Sequence, residues 1–300
     1  MARHREKLSG VFAPVVTPFR DDELQLEDLR FNVRKLNKTP LTGYLALGSN
    51  GEVRSLGERE QSQVLEVFAE EKAEKVVIAG TGCESTKLTI EKSKLASDMG
   101  FDYVSVLTPS YFGKRMNGPT LRSYYERIGD ASPLPVLLYN APGFAGGVQI
   151  PTETIRELSQ HANIAGMKDS SPAGPGRFLS SLDRAQDFYV LAGSADFFYP
   201  SLHLGAIGGV LSLANALPNI CCRLYQLFIE GKYDEARELH FTLARLNEAV
   251  SGTSGVAGVK AAMDVSGFRG GEPRHPLTAL SAEAKETIRE TLRAEGFPAD

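Results

Sequence analysis

Short apolar runs alternate along the chain with longer stretches whose apolar positions recur at helical spacing. The runs lie at 11–16, 43–47, 75–79, 102–107, 135–139, 164–168, 188–192 and 209–213. Each is nearly continuous in β-branched and other apolar residues, as parallel strands buried on both faces are. Between them, Leu26, Leu29, Val33 and Leu36 share one face of a helix, and Val64, Leu65 and Phe68 share another. Regular βα alternation over roughly two hundred residues gives either a closed barrel or an open doubly wound sheet. Eight strand-like runs favour the α/β (β/α)8 barrel.

After about residue 218 the strand runs stop, and the pattern predicts helices at 219–229, 233–250, 256–265 and 282–295. Gly231 and Gly252 stand where helices would end, and Ser281 where one would begin. The expected organisation is a barrel over 1–217, with a C-terminal helical extension over 218–300 packed on it. No internal repeat, low-complexity tract or long linker interrupts the chain.

Composition narrows the function classes. The chain has 300 residues, 42% hydrophobic and 23% charged, with a formal net charge of −4. That balance argues against a nucleic-acid surface, which needs a clustered basic face. No apolar run is long enough to cross a bilayer. Residues 1–8 are basic and lead straight into the first strand, so they read as a frayed polar tail rather than a signal segment. The three cysteines, Cys83, Cys221 and Cys222, are odd in number and two are adjacent, which points to a reducing compartment. The expectation is a cytoplasmic protein, with the mitochondrial matrix left open. Five scattered histidines show no paired ligand spacing, so no metal is expected.

In a barrel of this kind, functional groups come from the C-terminal ends of the strands and the loops just after them. Lys168 closes an apolar run, where a lysine is poorly solvated; desolvation disfavours the ammonium and leaves more neutral amine. A neutral amine attacks a carbonyl carbon to form an imine. Taken alone, such a lysine is more often one that snorkels to solvent or pairs with Asp169. Tyr139 also ends its run, and its phenol can shuttle a proton, although a strand-end tyrosine is commonly a core ring with a bonded hydroxyl. The loop Gly48-Ser49-Asn50-Gly51-Glu52 can point successive backbone N–H groups at a carboxylate, or be a plain Asn-Gly turn. A second glycine cluster, Gly80-Thr81-Gly82-Cys83-Glu84-Ser85, lacks the third glycine of a dinucleotide fingerprint. It reads as a tight turn with Ser85 near a helix N-terminus, and supports a nucleotide-binding oxidoreductase only weakly.

Together these motifs resemble the pyruvate-dependent lyase family that includes dihydrodipicolinate synthase and N-acetylneuraminate lyase. The likeness runs from about Val11 into the helical tail. It rests on the glycine loop after strand two, the Tyr139-Asn140-Ala141-Pro142 segment and the strand-six lysine, in this order and spacing. The resemblance implies that Lys168 is the Schiff-base lysine and Tyr139 the general acid/base. Ser49 would link Tyr139 to Tyr111 in a proton relay, with Tyr111 entering the site of a neighbouring subunit. Substrate would be held by Ser49 and Asn50, whose N–H groups take the pyruvyl carboxylate, and by Ser170, Gly193 and Leu211. No cofactor is implied beyond the covalent imine on Lys168, and the family is commonly a homotetramer built as a dimer of dimers.

Within the family the details are most similar to the 4-hydroxy-2-oxoglutarate aldolases. The similar segments include Gly82-Cys83-Glu84-Ser85-Thr86, Gly166-Met167-Lys168-Asp169-Ser170, Leu191-Ala192-Gly193-Ser194-Ala195 and Arg274-His275-Pro276-Leu277. One position departs from the synthases, which usually carry an arginine two residues after the proline of the Tyr-Asn-x-Pro segment. Phe144 stands there, and a ring cannot make the bidentate charge-assisted bonds of a guanidinium. The leading expectation is cleavage of a 4-hydroxy-2-oxo acid, 4-hydroxy-2-oxoglutarate first, to pyruvate and an aldehyde. A 2-keto-3-deoxy sugar acid is the alternative substrate, dihydrodipicolinate synthesis the disfavoured one, and a non-catalytic ligand-binding barrel the alternative of another class.

Overall fold

Eight parallel strands close on one another in sequence order in the computed structural model, which describes residues 4–183, 186–252 and 254–298. The strands are β1 (Gly10–Pro14), β2 (Gly43–Ala46), β3 (Val76–Gly80), β4 (Tyr103–Leu107), β5 (Val136–Asn140), β6 (Ile164–Asp169), β7 (Tyr189–Ala192) and β8 (Gly208–Val210). Gly208 of β8 pairs with Gly10 of β1, and Phe12 of β1 pairs with Gly43 of β2, which closes the ring. The expected barrel is the observed one.

Side chains alternate across each strand. Phe12, Leu45, Ile78, Tyr103, Leu137 and Leu191 point to the barrel axis and form one apolar cluster. Their neighbours Val11, Tyr44, Val77, Val104, Val136 and Val190 belong to a larger cluster shared with the surrounding helices. The helices flanking the early strands are α1 (Leu26–Leu36), α2 (Glu58–Glu71), α3 (Thr86–Asp98), α4 (Gly118–Ala131) and α5 (Thr152–Leu158). Leu29, Val33 and Leu36 are fully buried along the face that their spacing predicted. Ser85 caps α3, its hydroxyl accepting the Leu88 N–H at 3.1 Å, so the second glycine cluster is the βα turn expected of it.

One irregularity matters for the site. Between β5 and β6 the pairing runs Val136↔Ile164 and then Leu137↔Gly166, so Ala165 is an extra residue in β6. Such a bulge reverses which later side chains face the axis. Lys168 thereby becomes the register partner of Tyr139 and faces inward with it. Gly166 is required there, because a Cβ would lie 2.1 Å from the Tyr189 carbonyl oxygen.

The remaining helices are α6 (Gly176–Leu179), α7 (Phe198–Leu204), α8 (Pro218–Ile229), α9 (Tyr233–Asn247), α10 (Gly255–Val265) and α11 (Ala282–Ala294). Ser281 caps α11 as predicted, accepting the Ala284 N–H at 3.1 Å. The helix expected over 233–250 ends at Asn247 and passes into a wider turn, Glu248–Gly252. There the Ser251 hydroxyl bonds back to the Asn247 side chain at 2.9 Å, competing with regular helical pairing. The strand expected over 209–213 stops at Val210. The Asn215 side chain turns the chain, accepting the Val16 N–H and donating to the Pro14 and Ser212 carbonyls.

The expected frayed tail needs correction where it is described. Arg5–Leu8 forms a helical turn, Leu8 is fully buried in the axial cluster, and His4 Nδ1 lies 3.1 Å from the Tyr103 hydroxyl. An apolar residue closing the mouth of the barrel outweighs the polar composition around it. Residues 1–3 of that expectation lie outside the described residues. Cys83, Cys221 and Cys222 are free, buried thiols. Among the described residues no helix is long and apolar enough to cross a membrane.

Candidate functional site

At the C-terminal ends of the strands a cleft of about 770 Å³ opens above the axial cluster. Ser49, Asn50, Tyr139, Lys168, Ser170 and Gly193 all line it, drawn from four different strand ends. Lys168 is only 6% exposed, and its Nζ lies 3.4 Å from the Tyr139 hydroxyl and 4.4 Å from the centre of the ring. The Ser49 hydroxyl lies 3.4 Å from the same phenol oxygen. These contacts are long, as such bonds often are before substrate tightens them. Burial pushes the Tyr139 phenol up, but the charge of Lys168 and bonds from Ser49 and Ser170 outweigh it. The phenol is held below its ordinary value.

Asp169 is not the partner of Lys168. It points the other way from the strand, accepting bonds from Asn140 Nδ2 at 2.7 Å and the Ser171 hydroxyl at 2.8 Å. Burial raises its carboxyl above its ordinary value, against the bonds from Asn140 and Ser171. With Asp169 engaged, the Lys168 amine is aimed at the cleft.

Leu47 and Glu52 flank the glycine loop, both in the left-handed region, at φ 55° and φ 50°. The Glu52 N–H donates to the Ser49 carbonyl at 3.0 Å, and the Thr17 hydroxyl donates to the Gly51 carbonyl at 2.8 Å. The N–H groups of Ser49 and Asn50 donate to no acceptor among the described residues. Asn50 is held by its side chain, which donates to the Ser212 hydroxyl at 2.7 Å. Two unengaged donors beside a buried amine suit a carboxylate next to a carbonyl. Gly193 passes so close to β6 that a Cβ would lie 2.0 Å from Ser170 Oγ.

Two residues named from the resemblance stand elsewhere. Leu211 is fully buried in the outer core and does not line the cleft; its neighbour Ser212 does. The strand has ended at Val210, and the short helical turn that begins at Ser212 leaves Leu211 in the core and brings Ser212 to the cleft. Tyr111 is 81% exposed, stacked edge-on against Phe112, and takes no part in the Lys168–Tyr139–Ser49 group within one chain. Phe144 lines the cleft and is largely exposed.

Several lining residues escaped the sequence reading. Arg54 follows the glycine loop and faces Glu84 at 3.7 Å, while Ser251, Ser254 and Leu277 come from the helical region. Glu52, itself at the cleft wall, pairs with the buried Lys260 of α10. A lone lysine inside the apolar run Gly258-Val259-Lys260-Ala261-Ala262 was the available signal for that pair.

Residues 7–295 match the profile of the Dihydrodipicolinate synthetase family. A 4-hydroxy-tetrahydrodipicolinate synthase of Methanothrix thermoacetophila is 33% identical over 290 residues, covering 94% of this chain and 95% of that one. The "Probable 4-hydroxy-2-oxoglutarate aldolase, mitochondrial" of Emericella nidulans is 32% identical, covering 96% and 95%. The crystal structure of dihydrodipicolinate synthase from Thermotoga maritima superposes with a TM-score of 0.90 at 29% identity, covering 97% and 99%. Barrel, strand-end lysine and near full-length likeness agree: the chain belongs to the dihydrodipicolinate synthetase family and is an enzyme of its pyruvate-dependent lyase and aldolase kind.

Proposed function

We propose that the protein is a class I aldolase that cleaves a 4-hydroxy-2-oxo acid, 4-hydroxy-2-oxoglutarate in the first place, to pyruvate and an aldehyde. The observation that carries this is the 3.4 Å approach of Lys168 Nζ to the Tyr139 hydroxyl beside the two unengaged N–H groups of the Ser49–Asn50 turn.

The substrate carboxylate takes those N–H groups and presents C2 to Lys168. The amine adds to C2, and loss of water gives the imine; Tyr139 carries the protons this requires. Tyr139 as phenolate then takes the proton of the 4-hydroxyl. The C3–C4 bond breaks, its electron pair moves to the imine as an enamine, and C4 leaves as an aldehyde, glyoxylate when C4 carries a carboxylate. Protonation at C3 and hydrolysis of the imine release pyruvate and return the amine. The imine is the electron sink, so no cofactor enters the scheme. Asn50 and Ser170 are the polar groups that would take the distal carboxylate in the absence of an arginine at position 144.

A second substrate class has an observation of its own. Ser194, Ser212, Ser251, Ser254 and Thr278 line the same cleft, and such hydroxyls suit a 2-keto-3-deoxy sugar acid. The same scheme would act on it unchanged. We place Tyr111, exposed in one chain, at the site of a neighbouring copy in a homotetramer.

The deciding experiment is pyruvate release from a panel holding 4-hydroxy-2-oxoglutarate and several 2-keto-3-deoxy sugar acids, with Lys168→Ala as control. Release from the first alone supports the dicarboxylate, and release from the sugar acids alone transfers the mechanism to them. Normal turnover by Lys168→Ala would overturn the mechanism.

A further inference from the structure

We infer that Lys260, on the C-terminal helical region and outside the lining of the cleft, is a positioning residue for the substrate carboxylate. It acts through Glu52, and the inference rests on the function proposed above. The Lys260 side chain is wholly buried, and its Nζ lies 2.5 Å from Glu52 Oε1, itself buried. Lys260 Nζ also donates to the Glu272 carbonyl at 2.7 Å and sits 4.6 Å from the centre of the Phe19 ring. The other Glu52 oxygen accepts the Arg274 N–H at 2.9 Å, and the Arg274 guanidinium lies 4.3 Å from the same ring.

Glu52 is held this firmly in a backbone conformation that a glutamate seldom adopts, at φ 50°. Such a residue keeps its conformation only where its surroundings over-determine it. Its N–H closes the turn on the Ser49 carbonyl, and that turn sets where the Ser49 and Asn50 N–H groups aim. Lys260 also belongs to the helix whose first residues, Gly255, Val256 and Ala257, line the same cleft. One buried ion pair therefore ties the glycine loop to a helix that also lines the cleft.

A positioning role predicts weakened capture of the 2-oxo acid at an intact Lys168, which a purely structural role does not. The readout is the pyruvate concentration that half-saturates borohydride trapping at Lys168, measured on protein shown to be folded by circular dichroism. The double variant Glu52→Gln/Lys260→Met removes both buried charges, a replacement that often leaves folding intact. It is expected to need about tenfold more pyruvate or beyond, with the rate at saturation nearly kept. A folded double variant with the wild-type half-saturation overturns the inference. If the double variant does not fold, the isosteric Glu52→Gln decides by the same criterion. Its expected rise is about threefold, and wild-type behaviour overturns the idea. No trapping in the wild-type protein would overturn the proposed function itself, and the inference with it.

Discussion

Tyr139 and Lys168 are register partners on neighbouring strands, and both point into the barrel with the phenol oxygen 3.4 Å from the amine. Proximity at this range lets one group move protons for the other, and the two are expected to fail differently. Lys168→Ala leaves no amine, so borohydride with pyruvate adds no mass to the protein. Tyr139→Phe keeps the amine and still traps pyruvate at long times, but loses the base for C–C cleavage. A drop of roughly 10²–10⁴-fold in pyruvate release is expected. Release by Tyr139→Phe at the wild-type rate would remove the phenol from the scheme.

The second prediction concerns pH. Burial raises the Tyr139 phenol, and the charge of Lys168 with the Ser49 and Ser170 bonds pulls it below its ordinary value. Cleavage needs the phenolate, so activity rises as pH climbs through that lowered value. Ser49→Ala removes one of the lowering contacts, and the rising limb of kcat/KM should move to higher pH. A limb that stays in place would show that a different group titrates there.

Gly193 offers a steric test. With an added Cβ 2.0 Å from Ser170 Oγ and 2.5 Å from the Asp169 carbonyl oxygen, Gly193→Ala must displace the Ser170 loop. Overpacking of this kind costs about 1–3 kcal/mol. Thermal unfolding should fall by a few degrees and pyruvate trapping should weaken. An unchanged midpoint with unchanged trapping would mean that the loop moves freely.

Outside the site, Arg274 grips Glu60 in a two-pronged contact at 2.7 and 2.8 Å, and those bonds, acting against burial, hold the Glu60 carboxyl below its ordinary value. Its folded value lies under its unfolded one. The stabilisation is therefore complete above the ordinary glutamate range and disappears as pH falls through the lowered value. Glu60→Gln should cost about 1–2 kcal/mol at neutral pH, and progressively less on acidification below the ordinary range. Denaturant melts at several pH values check this, and a cost that does not shrink in acid contradicts it.

Phe144 tests the departure from the synthase pattern. Phe144→Arg places a guanidinium at the cleft wall and should raise kcat/KM for a dicarboxylic 2-oxo acid over a monocarboxylic one by about tenfold. An unchanged ratio would place the distal carboxylate out of reach of position 144.

Much of the architecture is legible from local pattern. Continuous apolar runs separated by amphipathic stretches leave little choice but buried parallel strands with outer helices, and caps such as Ser85 and Ser281 depend on neighbours three residues away. Lys168, Tyr139, Ser49, Asn50, Ser170 and Gly193 could be named because strand ends in this fold open on one face. Leu211 was misplaced because naming a strand end does not say which of two adjacent side chains turns to the cleft. The Lys260–Glu52 pair was missed because its members lie 208 positions apart (260 − 52), a separation that no local spacing reports.

The sequence by itself determined the number and order of the strands, the helical tail and the residue types available for imine chemistry. Those follow from burial and hydrogen bonding within short windows of chain. Only the tertiary structure decided that Lys168 faces the axis. That depends on the extra residue Ala165 between two pairs of the β5–β6 ladder, and a shift of one residue would have turned the amine into the outer core. Strand pairing is a relation between two segments, and its register is fixed by how their side chains pack together.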